Sequence, residues 1–444
     1  MHSVLVGLAA ALVPMAAGEK PGGVGDTPPN IIFIYTDDLG YGDVPSYFPG
    51  TPIRTPFLDQ MIAEGLRFTD CYAPASVCTP SRAGLLTGRL AARSGMAGDF
   101  LRVLFPPSTG GLPQSEVTIA EVLRNKGYAT ACIGKWHLGH TTRDQMPNAH
   151  GFDEFFGVPY SNDMVPFPLM RNETVLQEPA PMAELTGLYT QEARSFIAAH
   201  AAQPFFMYLA HTFPHDPLAA SSAFLGSSAG GLYGDVVEEL DNSLGRVLAA
   251  LRELGLTRRT LVVFTSDNGP NPFVGGFAGR LRGFKASPFE GGFRVPCVAW
   301  WPGRIPAGTV SQDIVSHLDW FPTFANLAGG LDPLDGVAAS GPVLDGVDLR
   351  PVLFGRGPGG RTSMPYYHGT HLVAFRQGPW KLHFLVPPPP SKEPVAREPL
   401  LLYDLTTDPG EENNLAGQFP GVVNGLLLAA RRHTAGMTFA PSQL

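Results

Sequence analysis

Runs of apolar β-forming residues punctuate the first two thirds of the chain, at Ile31–Tyr35, Tyr128–Ile133, Phe205–Ala210, Thr260–Thr265 and Val295–Trp300. Each run is continuous rather than alternating, the pattern of strands covered on both faces in a mostly parallel sheet. Helical spacing of apolar positions fills the intervals at Pro56–Glu64, Val117–Lys126, Thr190–Ala201 and Asp235–Leu254. Strand and helix alternating in this way predicts an α/β layered domain. The last hundred or so residues change character. Short β-like runs at Ser363–Gly369, His371–Arg376, Lys381–Leu385 and Leu400–Leu405 are separated by Gly/Pro turns and followed by a helical stretch, Val422–His433. That predicts a small antiparallel sheet with one helix. The seam falls in the Gly/Asp/Pro-rich stretch Gly329–Asp348, giving a main domain over 28–335 and a C-terminal subdomain over 336–444. No internal repeat is visible.

Composition narrows the function classes. Of 444 residues, 44% are hydrophobic and 16% charged, against about 25% charged in a typical globular chain, which argues against a long solvated tract. A net charge of -8 offers no basic face for nucleic acid. The apolar stretch Val4–Ala17 is broken by Gly7 and Pro14 and is shorter than the roughly 18–20 residues that span a bilayer. Followed by Ala16-Ala17-Gly18, it reads as a secretory signal over residues 1–18, although its start carries His2 and no Lys or Arg. An exported protein without a transmembrane segment is expected: secreted, periplasmic or lysosomal according to source. The sequon Asn172-Glu173-Thr174 is a glycan site only in a eukaryotic secretory pathway. Cys71, Cys78, Cys132 and Cys297 have no CxxC spacing, so neither a zinc cage nor a dithiol motif is indicated, and four cysteines are too sparse for a disulfide scaffold.

The chemistry gathers where the apolar runs stop. In open α/β sheets ligands bind beyond the carboxyl ends of the strands. Four runs end in polar, reactive residues: Asp37-Asp38, Lys135-Trp136-His137, His211 running on to His215-Asp216-Pro217, and Asp267-Asn268-Gly269. In a parallel arrangement these share one edge. Three carboxylates crowded together repel unless a cation lies between them, and the oxygen-only donors of Asp37, Asp38, Asp267 and Asn268 suit Ca²⁺ or Mg²⁺ rather than zinc. Taken singly, each pair also fits an ordinary turn after a strand; two pairs at equivalent strand ends favour metal.

The segment Cys78-Thr79-Pro80-Ser81-Arg82 suits the first turn of a helix, with Leu85 and Leu86 behind it facing a core. Cys78 at a helix N-terminus faces unbonded N–H groups that attract an anion, and Arg82, one turn in, can grip an oxyanion. A nucleophile-grade residue then stands at the mouth of an anion site; a buried structural cysteine beside a cap is the plainer alternative.

Cys78-Thr79-Pro80-Ser81-Arg82 with Leu85-Leu86-Thr87-Gly88-Arg89 resembles the signature of the type I sulfatases, and Gly134-Lys135-Trp136-His137-Leu138-Gly139 resembles their second signature. The likeness covers nearly all of the chain after the leader. It includes Asp37-Asp38-Leu39-Gly40-Tyr41-Gly42-Asp43, Pro159-Tyr160-Ser161, Ser266-Asp267-Asn268-Gly269-Pro270, Glu290-Gly291-Gly292 and Leu402-Tyr403-Asp404-Leu405. Gly110-Gly111-Leu112-Pro113 and the Pro-Tyr-Ser run point to the arylsulfatase A branch.

The resemblance implies a large mixed, mostly parallel sheet sandwiched by helices, and a sulfuric ester hydrolase. It implies that Cys78 is oxidised to formylglycine by a formylglycine-generating enzyme. Asp37, Asp38, Asp267 and Asn268 would then be the metal ligands, usually of Ca²⁺ with Mg²⁺ an alternative, and the modified Cys78 would complete the shell. It places Arg82, Lys135, His137, Ser161, His215 and Lys285 around the aldehyde hydrate or the sulfate. His215 or Lys285 would protonate the leaving oxygen and His137 would deprotonate the second hydroxyl of the hydrate. His211 is expected to be structural. His140, His150, His317, His368 and His371 receive no role, although His368 and His371 could line the mouth, and Cys71, Cys132 and Cys297 are expected buried or locally paired. Substrates remain open among aryl sulfates, sulfated glycolipids and sulfated glycans. A phosphate mono- or diester hydrolase on the same scaffold, and an unmodified, inactive sulfoglycan-binding protein, are the competing readings.

Overall fold

The structure is a computed structural model describing residues 28–330, 343–387 and 394–444. The expected leader, and most of the expected seam, lie outside the described residues. In chain order the strands of the main body are β1 Asn30–Thr36, β2 Leu66–Phe68, β3 Cys71–Tyr72, β4 Ala129–Lys135, β5 Glu154–Val158, β6 Leu169–Arg171, β7 Thr174–Gln177, β8 Phe205–Ala210, β9 Thr260–Ser266, β10 Cys297–Trp300, β11 Thr309–Ser311 and β12 Val315–Ser316. All but β3 and β12, which pair with each other, form one ten-stranded sheet in the order β11-β2-β10-β9-β1-β8-β4-β5-β6-β7.

The sheet is mixed. Its centre, β9-β1-β8-β4-β5, is parallel throughout and holds four of the five apolar runs read from the sequence. The fifth, β10, runs antiparallel to both β9 and β2. Burial on both faces gives it the same continuous apolar character as its neighbours, so its composition does not reveal its direction. The chain leaving β9 makes no helical crossover of the kind a parallel neighbour requires; it loops along one edge and re-enters from the side on which it left.

Alternate residues of β1 feed two cores. Ile31, Phe33 and Tyr35 pack with Leu85, Leu123, Trp320 and Phe324, so helices Cys78–Thr87, Ile119–Asn125 and Trp320–Leu327 cover one face. Ile32 and Ile34 pack with Met61, Tyr189, Phe196 and Leu240, so Pro56–Glu64, Leu185–Ala199 and Gly231–Glu253 cover the other. The C-terminal strands β13 Ser363–His368, β14 His371–Gln377, β15 Trp380–Val386 and β16 Val395–Asp404 form an antiparallel sheet in sequence order. One face carries Leu372, Phe375, Leu382 and Leu402 against helix Pro420–Ala435; Met364 and Tyr366 pack on Tyr72, Phe293 and Ile314 of the main body. Among the described residues, no helix is long and apolar enough to cross a membrane.

The register brings the chemical residues level. Thr36 pairs with Ser266, and Tyr35 and Gly134 both pair with Ala210. The tails that follow β1, β9, β8 and β4 therefore leave the sheet side by side.

Candidate active site

Backbone hydrogen bonds hold these tails together. Asp37 N donates to Phe213 O at 3.0 Å and Asp267 N to Thr36 O at 3.0 Å. Asp38 has φ 69°, a left-handed conformation that Asp tolerates better than most residues, and its N–H donates to Asp267 Oδ1 at 3.2 Å. Gly134 has φ 110°, and a Cβ there would lie 1.8 Å from Ala210 O. Only glycine lets β4 pass β8 closely enough to place Lys135 at this edge.

Helix Cys78–Thr87 starts against the same edge, and Cys78 Sγ donates to Asp37 Oδ1 at 3.3 Å. Ligand atoms of Asp37, Asp38, Cys78 and Asp267 all lie within 4.8 Å of one another, and all four residues are buried. Asn268 Nδ2 donates to Asp38 Oδ1 at 2.6 Å, while Asn268 Oδ1 is buried with no hydrogen-bond partner. An orphaned buried carbonyl beside three buried carboxylates is costly and fits a cation.

Three fixed cations face the acids. Arg82 donates through Nε and Nη2 to Asp267 Oδ2 at 3.1 and 2.8 Å, and through Nη1 to Lys135 O at 3.0 Å. Lys135 Nζ contacts Asp37 Oδ2 and donates to Ser161 Oγ at 3.1 Å. Lys285 Nζ donates to Asp38 Oδ2 at 2.8 Å. His215 lies 3.4 Å from Ser161 Oγ, and its Nε2 lies 3.8 Å from Asp38 Oδ2. The side chains of Arg82 and Lys135 are sealed, whereas Lys285 keeps 21% of its side chain open to solvent.

Burial alone would lift the pKa of Asp37, but Lys135, His215, Arg82 and Lys285 outweigh it and hold the group well below the usual carboxylate range. Asp267 goes the other way, to about 7, through burial and the charge of Asp37. Burial, with Asp267 and Asp37, pushes the Cys78 thiol well above its ordinary value. Burial, reinforced by Lys135, keeps His137 well below the ordinary histidine range. The ring is thus a neutral imidazole: its Nε2 donates to Leu104 O at 2.8 Å and its Nδ1 is buried without a partner. Its carbonyl accepts from Thr79 Oγ1 at 3.1 Å, which ties it to the residue after Cys78.

Asp37, Asp38, Cys78, Arg82, Lys135, Ser161, His215, Asp267, Asn268 and Lys285 thus form one contiguous cluster, with His137 beside it. Outside it, His211 is buried against Ser243, 3.3 Å away, and burial lowers its pKa to about 3. His150 contacts Gln114 at 3.2 Å and Trp136, and His140 Nε2 donates to Pro106 O at 3.0 Å. His368 and His371 sit at the β13–β14 turn. Cys71, Cys132 and Cys297 are buried free thiols in one core cluster.

A supporting layer escaped sequence reading. Tyr35 OH bridges Ser81 Oγ at 3.1 Å and His317 Nδ1 at 2.9 Å, while His317 Nε2 reaches Thr265 Oγ1 at 3.1 Å. The Tyr35 ring also lies under the Arg82 guanidinium, 5.5 Å from its centroid. Tyr35 falls at the end of β1 on the face turned toward helix Cys78–Thr87, so the strand's alternation was the available signal.

A sealed cluster of oxygens next to three fixed cations defines an enzyme that handles a small oxyanion. The sulfatase family model matches residues 29–331, and the model for the C-terminal region of aryl-sulfatase matches 359–444. Arylsulfatase A of Bos taurus is 41% identical over 94% of this chain and 90% of its own length. N-acetylgalactosamine-6-sulfatase of Canis lupus familiaris is 43% identical over 84% and 74%. The solved structure of a sulfatase from Pseudoalteromonas sp. superposes with a TM-score of 0.81 at 26% identity, covering 92% of this chain and 90% of that one. The chain belongs to the sulfatase family. It is a sulfatase enzyme, similar to arylsulfatase A, and its family implies a metal ion and a formylglycine.

Proposed function

We propose that the chain hydrolyses sulfate monoesters at residue 78, after that cysteine becomes formylglycine, with Ca²⁺ held by Asp37, Asp38, Asp267 and Asn268. The observation that carries the reading is the unpartnered, buried Asn268 Oδ1 beside three buried carboxylates at the start of helix Cys78–Thr87. Asp37, Asp38 and Asp267 are matched in number by Arg82, Lys135 and Lys285. A divalent cation added to that balance leaves a positive field for an anionic ester. Cys78 Sγ is the one soft donor in an otherwise oxygen set, and an oxygen at residue 78 suits a hard cation better. Sealed walls favour Ca²⁺, which takes most of its ligands from protein, over Mg²⁺, which keeps several waters.

A cation held by Asp37, Asp38, Asp267 and Asn268 would supply Lewis-acid polarisation of a sulfuryl oxygen and of the attacking hydroxyl. Hydrated formylglycine would offer two hydroxyls on one carbon: one attacks sulfur in line as the S–O bond to the alcohol breaks, and deprotonation of the other re-forms the aldehyde C=O as the C–O bond to sulfate breaks. The chain's own side chains do the rest. Arg82, fixed by Asp267 and Lys135 O, orients the residue-78 end of the site. Lys135 and Ser161 hold sulfate oxygens, and Lys285 or His215 meets the departing oxygen and protonates it. His137 accepts the proton of the second hydroxyl at Nδ1, because Nε2 is committed to Leu104 O.

The reading includes maturation by a formylglycine-generating enzyme, export directed by the apolar leader, and a catalytic domain over 28–335 with the β13–β16 sheet within 336–444. Mass spectrometry of the peptide carrying residue 78, taken from active native protein, is expected to show formylglycine; unmodified thiol alone in active material would falsify the proposal. Turnover of an aryl sulfate is expected to exceed that of the matched aryl phosphate, and the reverse ratio would favour the phosphate-ester reading. Chelation is expected to lower the unfolding midpoint, with Ca²⁺ restoring it further than equimolar Mg²⁺. At a hundredfold excess over its Kd a ligand stabilises by about 2.7 kcal/mol, so an unmoved midpoint counts against a bound cation.

A further inference from the structure

The stretch 98–104 packs against the segments that carry Cys78, His137 and Lys285. Leu104 N donates to Thr79 Oγ1 at 3.2 Å, and Leu104 O accepts from His137. Two residues earlier, Arg102 Nη1 donates to Ala286 O at 3.2 Å and Nη2 to Ser76 Oγ at 3.3 Å. Ala286 follows Lys285, the cation open to solvent, and Ser76 precedes Cys78 by two residues, a backbone reach of at most about 8 Å. The guanidinium therefore ties the segment just before Cys78 to the segment just after Lys285.

Arg102 is also a cation without a counter-charge. Both of its contacts are to neutral oxygens, its Nε is buried with no acceptor, and among the described residues no carboxylate pairs with it. Burial alone draws its pKa down to about 10, the effect of desolvating a charge that nothing nearby compensates. The nearby acid, Asp99, is committed elsewhere. It accepts from Thr370 N at 2.7 Å and Thr370 Oγ1 at 2.8 Å, and lies 3.6 Å from His371 Nε2. Those bonds clamp the β13–β14 turn, with His368, onto the 98–102 stretch. An unpaired, largely desolvated guanidinium is costly unless an anion joins it, and one N–H on each of Nη1 and Nη2 stays uncommitted, donors of the kind that bind an oxyanion.

We propose that Arg102 forms a second anion-binding point on the rim, which selects sulfate esters carrying another oxyanion, a carboxylate or a second sulfuryl group, close to the scissile one. The inference rests on the sulfatase reading above. Its test compares three aryl sulfates on one phenol skeleton, bearing a neutral amide, a carboxylate or a sulfonate, with the full-length protein, Arg102→Met and Arg102→Lys. The unmodified enzyme is expected to prefer at least one anionic substrate over the amide by about tenfold or more in kcat/KM. Arg102→Met is expected to erase that ratio mainly through KM, and Arg102→Lys to keep part of it. Whichever anion gains more identifies the preferred oxyanion. A ratio near one in the unmodified enzyme, or equal losses on all three substrates in Arg102→Met, would overturn the rim site while leaving the sulfatase reading intact. An enzyme that releases sulfate from none of the three would overturn the parent reading and this one with it. Should Arg102→Met fail to fold, Arg102→Lys decides alone: a ratio reduced but not lost supports the rim site, and a ratio unchanged from the unmodified enzyme places the preference on another group and overturns it.

Discussion

Cys78→Ala is expected to bring sulfate release from an aryl sulfate down to background, a loss of at least about 10⁴-fold, without unfolding the protein. The neighbouring hydroxyls offer no substitute. Thr79 Oγ1 donates to His137 O, Ser81 Oγ to Asp267 O, and Ser161 Oγ accepts from Lys135. Alanine removes one small buried atom and a weak S–H bond to Asp37, a change expected to cost about 1 kcal/mol or less in unfolding free energy. Cys78→Ser separates attack from release. A single hydroxyl can take up a sulfuryl group, but no second hydroxyl on the same carbon can expel it. The serine variant is expected to show no turnover and to carry a sulfate ester on residue 78, visible as added mass on that peptide. Sustained turnover by Cys78→Ala in folded protein would remove residue 78 from the chemistry altogether.

The sequence carried the fold wherever burial imposed a pattern. Phe205–Ala210 and Pro56–Glu64 coincide with their elements to the residue, because each is bounded by a turn or by Pro at the helix start. The helix expected from Thr190 begins at Leu185 instead, since Leu185 and Tyr189 enter the core one turn before the sequence periodicity is persuasive. Strands β6 and β7 were missed: they extend an edge of the sheet, and β7 is exposed along its whole length, so no apolar run marks them. The direction of β10 was hidden for the opposite reason, since complete burial erases alternation. Within the site, Asp37, Asp38, Lys135, His137, His215, Asp267 and Asn268 were legible as abrupt polar endings to apolar strands. Ser161 and Lys285 lie in loops without periodicity and were reached only by family resemblance. Arg102 had no signal, because its partners Ser76 and Ala286 are distant in sequence and one of them contributes only a backbone carbonyl.

Least visible of all was the buried ionic lattice that joins the two sheets. Glu290 Oε1 accepts from Lys381 Nζ at 3.0 Å and Tyr366 OH at 2.7 Å; Glu290 Oε2 accepts from Tyr72 OH at 2.6 Å. Lys381 Nζ also lies 3.1 Å from Glu411 Oε1, and Glu411 Oε2 accepts from the Glu290 backbone N–H at 2.7 Å. Arg294 and Arg376 meet Asp70 at 2.8 Å each. Acids Asp70, Glu290 and Glu411 thus balance bases Arg294, Arg376 and Lys381. Burial opposes the charge on Glu290, yet Lys381, Arg294 and Arg376 hold its pKa far below the usual carboxylate range. Replacing Lys381 with Met fills the volume but leaves Glu290 and Glu411 facing each other with one buried negative charge unmatched. Breaking such a pair costs about 3–5 kcal/mol, so the urea midpoint is expected to fall by that equivalent. Glu290 lies five residues beyond Lys285, and Gly291 N donates to Arg282 O at 2.7 Å, so the loop carrying Lys285 is expected to loosen and sulfatase activity to fall with it. Adding Glu411→Gln to Lys381→Met removes the surplus charge and is expected to recover part of the loss. A Lys381→Met midpoint within about 0.5 kcal/mol of the unaltered protein, the range of ordinary surface changes, would show that the lattice does not hold the C-terminal sheet in place.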